Sequence, residues 1–307
     1  MRHIIGISIG GTKSAVCYAS LEGQEIISIE KKQIPTNPLD PNKEIEELFE
    51  LINSYPQDFD FISVVAGSPM DANKGIICQP SNLPGWIDVP IVSLLKERYR
   101  VPCVLLNDAD AGVLAEYHYG AGKGSLNFVY IIMGTGFGSG IVIHGRLYRG
   151  SNNNAGECGH VKVSDEGYMP RNKKPGSAEG FISGGGIEDE AKMLSKYHPG
   201  TSLAKIENIT GKIVFEEARK GDELANLIVN QCARKLGEVI SIYLDILNPD
   251  RIVIGGIYPR AVDLLEKEVL SVVKQSSLKE SYECVSIVPS ALAEKIDDYS
   301  SLMGIYL

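Results

Sequence analysis

Three glycine-rich turns and a few polar side chains carry the chemistry this sequence offers. Gly134-Thr135-Gly136 closes the apolar run Phe128 to Met133, and a second apolar run, Ile141 to Ile143, follows. A strand, glycine loop and strand in that order lets bare backbone N–H groups sit close to an anion, because glycine adopts dihedrals that other residues avoid. Thr135 adds a hydroxyl. Gly10-Gly11-Thr12-Lys13 repeats the arrangement after the apolar stretch His3 to Ile9, and Gly255-Gly256 ends a third apolar run, Ile252 to Ile254. One such loop is a weak signal. Three at strand ends, two of them matching, point to the phosphates of a nucleotide, with plain tight turns as the alternative.

Phosphoryl transfer to a hydroxyl asks for positioning, neutralised phosphate charge and a carboxylate to take the proton. Asp108 suits that last role. It follows the strand Pro102 to Leu106 and opens the helical stretch Ala109 to Tyr119, where the helix dipole favours its ionised form. The alternative is that Asp108 is only a helix cap. Asn107, Glu157, His160 and Glu179 lie in or beside glycine turns. Together they suit a polyhydroxylated ligand, which needs several directional donors and acceptors; singly, each is an ordinary turn residue. Glu157 and His160 also have a metal-ligand look, but no thiol-rich segment or second histidine stands nearby to complete a zinc site.

The elements that must position these residues alternate. The first stretch reads as strand, glycine loop, strand, turn at Leu21 to Gln24, and strand. Residues 128–147 have the same plan, with His144-Gly145 as a hairpin turn, so we read an internal repeat. Asp40-Pro41 starts a helix with Ile45, Leu48, Phe49 and Ile52 on its apolar face. Phe61 to Ala66 reads as a buried strand, and Leu94 to Arg100 closes a helix. The loop Pro80 to Trp86 either lines a site or packs its indole as a structural turn. Ser183-Gly184-Gly185-Gly186 leads into a helix at Ile187. Glu223 to Leu247 is a long helix with Leu224, Leu227, Ile228, Leu236, Val239, Ile240, Tyr243, Leu244 and Leu247 in apolar spacing, stopped by Asn248-Pro249. A helix from Pro259 to Lys274 and a last strand, Cys284 to Val288, follow. The pattern predicts two α/β domains.

Composition narrows the function class. The 307 residues fit about two domains. A hydrophobic content of 44% with 22% charged residues describes a soluble globular chain with full cores. A net charge of −9 argues against nucleic acid or an anionic membrane as partner. No apolar run nears the roughly 20 residues that cross a bilayer, and no leader pattern opens the chain. Six scattered cysteines without a Cys-x-x-Cys pair read as buried or half-buried thiols in a reducing cytoplasm.

In order and spacing, I-S-I-G-G-T-K at the start, S-N-L-P-G-W at 81–86, N-D-A-D-A at 107–111, G-T-G-F-G-S-G at 134–140, A-G-E-C-G-H at 155–160, G-S-A-E-G-F-I-S-G at 176–184 and I-V-I-G-G at 252–256 form a specific set. With these motifs the chain resembles the ROK sugar kinases of the actin–hexokinase superfamily along nearly its whole length. The resemblance implies two ribonuclease-H-like domains around a central cleft. These are a small one over 1–114 with the first phosphate loop and a larger one over 115–307, whose C-terminal tail can pack back on the first. It implies ATP and Mg2+ as cofactors, and dimers or larger homo-oligomers. By position, Asp108 would be the general base toward a hexose 6-hydroxyl, and Asn107, Glu157, His160 and Glu179 would hold the ring. Gly67 and Ser68 fall where the family touches the sugar, and Gly67, Asn82 and Glu179 would shape its discrimination. Gly10, Gly11, Thr12 and Lys13 match the first phosphate loop. Gly134, Thr135 and Gly136 match the second, and Gly255 and Gly256 the adenosine-side turn.

Two departures stand out. Many ROK proteins carry a Cys-x-Cys…Cys segment that binds structural zinc, and those positions are Pro170, Asn172 and Ser177, so we expect no such zinc. The family usually has Asp where this chain has Ser8, a lost charge near the metal-bound phosphates. The expected activity is ATP-dependent hexose phosphorylation. The alternatives are a non-catalytic sugar sensor, which Ser8 motivates, and a related phosphotransferase with a non-sugar acceptor. Repressors of the family carry a DNA-binding region before this core. With a strand beginning at residue 3 the sequence offers no stretch for a helix-turn-helix.

Overall fold

The computed structural model describes residues 1–165, 167 and 170–307. The chain divides into two compact units, Met1–Ala115 with Glu294–Leu307, and Glu116–Ala293.

In the first unit, β1 (Arg2–Ile9), β2 (Lys13–Glu22) and β3 (Glu25–Pro35) form an antiparallel meander. Helix α1 (Pro41–Asn53) follows, capped by the Asp40 carboxylate on the Lys43 amide at 3.1 Å. β4 (Ile62–Ala66) lies parallel to β1, and the two-residue strands β5 (Met70–Asp71) and β6 (Ile76–Ile77) pair apart from the main sheet. Helix α2 (Ile91–Tyr99), β7 (Cys103–Asn107) and α3 (Asp108–Tyr119) complete the run. The sheet order is β3-β2-β1-β4-β7. All five residues of β4 are buried, as expected of a parallel strand covered on both faces.

The second unit repeats that order. β8 (Phe128–Met133), β9 (Phe137–Ile143) and β10 (Arg146–Leu147) form the meander. His144 and Gly145 at φ +50° and +73° make its two-residue turn, both in the left-handed region that such a hairpin needs. Helices α4 (Ala178–Ile182), α5 (Gly184–Leu194), α6 (Gly211–Arg219) and α7 (Glu223–Leu247) precede β11 (Arg251–Gly256). Helices α8 (Val262–Ser276) and α9 (Lys279–Cys284) precede β12 (Ser286–Pro289). The order is β10-β9-β8-β11-β12, with β11 parallel to both β8 and β12. Each sheet is thus a three-strand meander extended by two parallel strands. The internal repeat read from the two glycine hairpins is a repeat of whole sheets, and the fold is of the actin/hexokinase α/β type.

Each unit has its own core. In the first, Trp86 is fully buried and its Nε1 donates to the Asn37 carbonyl at 3.3 Å; burying such a side chain stabilises by about 1.5–3 kcal/mol. Ile45, Leu48, Phe49 and Ile52 of α1 are buried as its spacing predicts. The tail helix α10 (Ile296–Ser300) leads to Gly304, whose amide donates to Ser63 Oγ in β4 at 3.0 Å. In the second, α7 contributes the longest buried face.

Three sequence readings need correction. Leu227, placed on the apolar face of α7, is 54% exposed. Cys284, read as opening the last strand, ends α9, and the strand begins at Ser286. Cys284 is also exposed, whereas Cys17, Cys103, Cys158 and Cys232 are buried and Cys78 is half-buried.

Candidate active site

In the first unit the register aligns the expected residues. Ile9 of β1 pairs Ala66 of β4, and Ala66 pairs Asn107 of β7. The next residue along each strand is Gly10, Gly67 and Asp108. The first loop, the Gly67-Ser68 turn and the acidic helix start therefore share one edge, at the carboxyl ends of parallel strands, where α/β folds collect their ligands. Asn82 stands beside two of them. A Cβ at Gly11 would lie 2.7 Å from the Asn82 Cβ, and one at Gly67 would lie 3.7 Å from its Oδ1. Of the loop Pro80 to Trp86, the indole is core and Asn82 is surface.

Asn107, not Asp108, caps α3. Its buried Oδ1 accepts from the Asp110 amide at 2.6 Å, whereas Asp108 Oδ1 accepts from the adjoining Ala109 amide at 2.9 Å. The Asp108 side chain is exposed.

Each expected phosphate loop has its carbonyls held from one side. The Thr36 hydroxyl donates to the Gly10 carbonyl at 2.8 Å, and the Thr36 amide donates to the Thr12 carbonyl at 3.1 Å. In the second loop the Gly184 amide donates to the Gly134 carbonyl at 2.8 Å, and Gly185 donates to the Thr135 carbonyl at 3.1 Å. In a trans peptide the N–H points opposite to the preceding C=O. The N–H groups of Gly11 and Lys13, and those of Thr135 and Gly136, are therefore turned away from these partners. The start of α5 is itself filled: Gly184 and Gly185 serve the loop, and Gly186 donates to Ser183 Oγ at 2.9 Å. Helix α5 thus spends its first amides on the loop and on its own cap.

Gly256 adjoins this loop. It pairs Met133 in the register, and the Ile257 amide donates to the Met133 carbonyl at 2.7 Å. Gly256 is exposed at φ +72°. Gly255 differs: it is buried in β11, against the Tyr130 ring and hydroxyl. The pair is one packing glycine and one turn glycine.

Glu157, His160 and Glu179 converge in the second unit. The segment Gly156 to His160 lies along β9 because two glycines let it. A Cβ at Gly156 would fall onto the Ser139 carbonyl, and one at Gly159 onto the Phe137 carbonyl. Ser139 Oγ donates to the Gly156 carbonyl at 2.6 Å and pairs with the Tyr243 hydroxyl. Between the glycines Cys158 points inward, and burial pushes its thiol up to about 12. Glu157 and His160 stay about 40% exposed, with Oε2 and Nε2 3.8 Å apart. Glu179, from α4, accepts from the Phe137 amide at 3.3 Å. Burial raises its pKa, against the pull of that amide and of His160. An acceptor pair and an imidazole around a half-buried carboxylate can bind neighbouring hydroxyls of a polyol.

The zinc site does not fit. Pro170 has no donor atom, and the Asn172 and Ser177 side chains are hydrogen-bonded to each other. Among the described residues no three His, Cys, Asp or Glu side chains converge on a metal position. Ser8, in β1, is half-buried and pairs Ala15 and Val65 in the sheet. Thr36 and the hydroxyl of Ser139 were not singled out in the sequence, and Asn172 was noted only as a lost zinc position; their contacts with Gly10, Gly156 and Gly159 are ones that no local motif announces.

A model of the ROK family matches residues 4–307. The chain is a ROK protein. It is 34% identical over 281 residues to the glucokinase of Halalkalibacterium halodurans, covering 87% of this chain and 84% of that one. It is 26% identical over 311 residues to the DNA-binding transcriptional dual regulator NagC of Escherichia coli K12, covering 99% of this chain and 74% of the regulator. Among solved structures, a ROK family glucokinase from Streptomyces griseus in complex with glucose and AMPPNP superposes with a TM-score of 0.77 at 25% identity, over 97% of each chain. This ROK protein is therefore similar to glucokinases and to a DNA-binding transcriptional regulator alike. No described helix is long and apolar enough to cross a membrane.

Proposed function

We propose that this ROK protein is an ATP-dependent hexose kinase. The observation that carries the reading is the row Ile9–Ala66–Asn107, which sets the Gly10-Gly11 loop, Gly67 and Asp108 along one sheet edge. The glucokinase relatives and the nucleotide analogue in the Streptomyces griseus structure support it.

In this reading the N–H groups of Gly11, Lys13, Thr135 and Gly136 face phosphate oxygens, and Thr12, Gly134 and Gly256 border the nucleotide. Magnesium would enter with the nucleotide, held mostly by phosphate oxygens and water; it supplies charge neutralisation. Asn107, Asn82, Gly67 and Ser68 are the first unit's candidate sugar contacts, and Glu157, His160 and Glu179 are the second unit's. Asp108 accepts the proton of the 6-hydroxyl as that oxygen attacks the γ-phosphorus in line with the leaving ADP oxygen. Because Asn107 closes the helix, Asp108 is not needed as its cap.

A coupled ADP-release assay over a hexose and N-acetylhexosamine panel with ATP and Mg2+ tests the proposal. Turnover with at least one sugar is expected. Sugar binding without ADP release would support the second reading, a sugar sensor, which Ser8 and the NagC likeness favour. Ser8→Asp then separates the two: a gain in turnover would mark Ser8 as limiting.

A further inference from the structure

Asn172 lies between His160 and Glu179 in the chain and ties down both ends of the intervening segment. Its Nδ2 donates to the Gly159 carbonyl at 3.3 Å and to Ser177 Oγ at 3.0 Å. Its Oδ1 accepts from Ser177 Oγ at 3.2 Å and from the Lys174 amide at 3.0 Å. An amide side chain has two donor hydrogens and two acceptor lone pairs, and here all four are used. Ser177, the reciprocal partner, is 2% exposed.

The bonds fall beside the candidate sugar partners. Gly159 precedes His160, and Ser177 stands two residues before Glu179. Around this clasp the Ala178 amide donates to the Val161 carbonyl at 2.8 Å, and the Val163 and Ser164 amides donate to the Gly176 carbonyl at 2.9 and 3.1 Å. Lys235 Nζ, from α7, donates to the Val163 carbonyl at 2.6 Å. None of the described residues from 160 to 167 is fully buried; Val163 packs in part against the core, and hydrogen bonds supply much of the remaining anchorage of the segment.

We infer that Asn172 is a positioning residue that sets His160 against Glu179 without a metal. It occupies, with Ser177, two of the positions at which zinc-binding ROK proteins carry cysteines, and their polar atoms are spent on each other. The inference rests on the reading of His160 and Glu179 as sugar partners; the clasp itself does not depend on catalysis.

The test is Asn172→Ala, followed by amide hydrogen exchange without sugar, by calorimetric titration with the hexose the wild type prefers and with ATP, and by repetition of both on wild type after chelation. Expected are exchange at Val161, Val163 and Ser164 at least tenfold faster with β8 unchanged, and sugar affinity down about tenfold, the loss of one to two hydrogen bonds. ATP affinity should stay within about twofold, and chelation should change nothing. If Asn172→Ala does not fold, Ser177→Ala removes the reciprocal half alone and should loosen the same amides by about threefold. Unchanged exchange in the variant that folds, or loosening of wild type by chelator, overturns the inference. A wild type that binds no hexose would defeat the kinase reading, while the exchange data would still decide the clasp.

Discussion

The side chain of Asn107 accepts the amide of Asp110 at 2.6 Å, so the residue before Asp108 closes helix α3. Two adjacent polar residues divide two tasks: one ends the orphaned first turn of the helix, and the other is left exposed at the strand edge. Asp108→Asn should therefore keep the helix and lose the base. We expect kcat to fall by about 10²–10⁴, with sugar affinity by calorimetry nearly unchanged. Full turnover in the variant would remove Asp108 from the mechanism.

Thr36 holds two carbonyls of the first glycine loop, one through its hydroxyl and one through its amide. Thr36→Val keeps the shape and the amide but loses the hydroxyl. The hydroxyl bonds both the Gly10 carbonyl and Ser14 Oγ, so the KM for ATP should rise about three- to thirtyfold, the range of one to two hydrogen bonds, while the KM for sugar holds. Thr36→Ser should restore the wild-type value; an equal rise in both KM values would point to general loosening instead.

Gly159 has the Phe137 carbonyl where a side chain would begin. Gly159→Ala must push the His160 segment off β9, at a cost of about 1–3 kcal/mol and with weaker sugar binding. Gly200 has open space around it, so Gly200→Ala is the control and should melt like wild type. Thermal denaturation of the two variants side by side gives the answer.

Glu190 of α5 is buried, with its Oε2 lacking a hydrogen-bond partner among the described residues, and burial raises its pKa from 4.5 to about 7. Between those values the folded protein binds more protons than the unfolded chain. Stability should therefore fall as pH rises through that window and level off above it. The loss is roughly a few kcal/mol at most. Glu190→Gln should flatten the slope and be the more stable protein at pH 8, read by urea denaturation at pH 5 and pH 8. An identical slope in both proteins would show that other groups set it.

The regular elements were legible because their periods are long and their ends are marked. Asp40 and Pro41 announced α1, Asn248-Pro249 stopped α7, and His144-Gly145 fixed a hairpin. Leu227 was misplaced because apolar spacing alone does not say how wide the covered stripe is. The run Cys284 to Val288, with Val285, Ile287 and Val288 β-branched, reads as strand, yet Lys279 and Glu283 pair at 3.6 Å one helical turn apart and α9 runs to Cys284. The motifs grouped Asn107, Glu157, His160 and Glu179 as ring-holding residues, and the second unit brings Glu157, His160 and Glu179 near one another. What holds them was not foreseen: Gly156 and Gly159 lie on β9 carbonyls, and Asn172 reaches back 13 residues to Gly159. Thr36 meets Gly10 across 26 residues. Such contacts are properties of a finished sheet, and one ordinary threonine or asparagine does not advertise them.

The bond from Gly304 to Ser63 has a consequence for biosynthesis. Ser301 and Leu302 also lie so close to Gly6 that the strand has no room for a Cβ there. The ribosome delivers β1 and β4 early and their last neighbours, Ser301 to Gly304, about 235 residues after β4, roughly ten to fifty seconds at ordinary elongation rates. Residues 116–293 are contiguous and emerge in that interval. The segment made second can thus reach its native form first, while the segment made first waits for the tail.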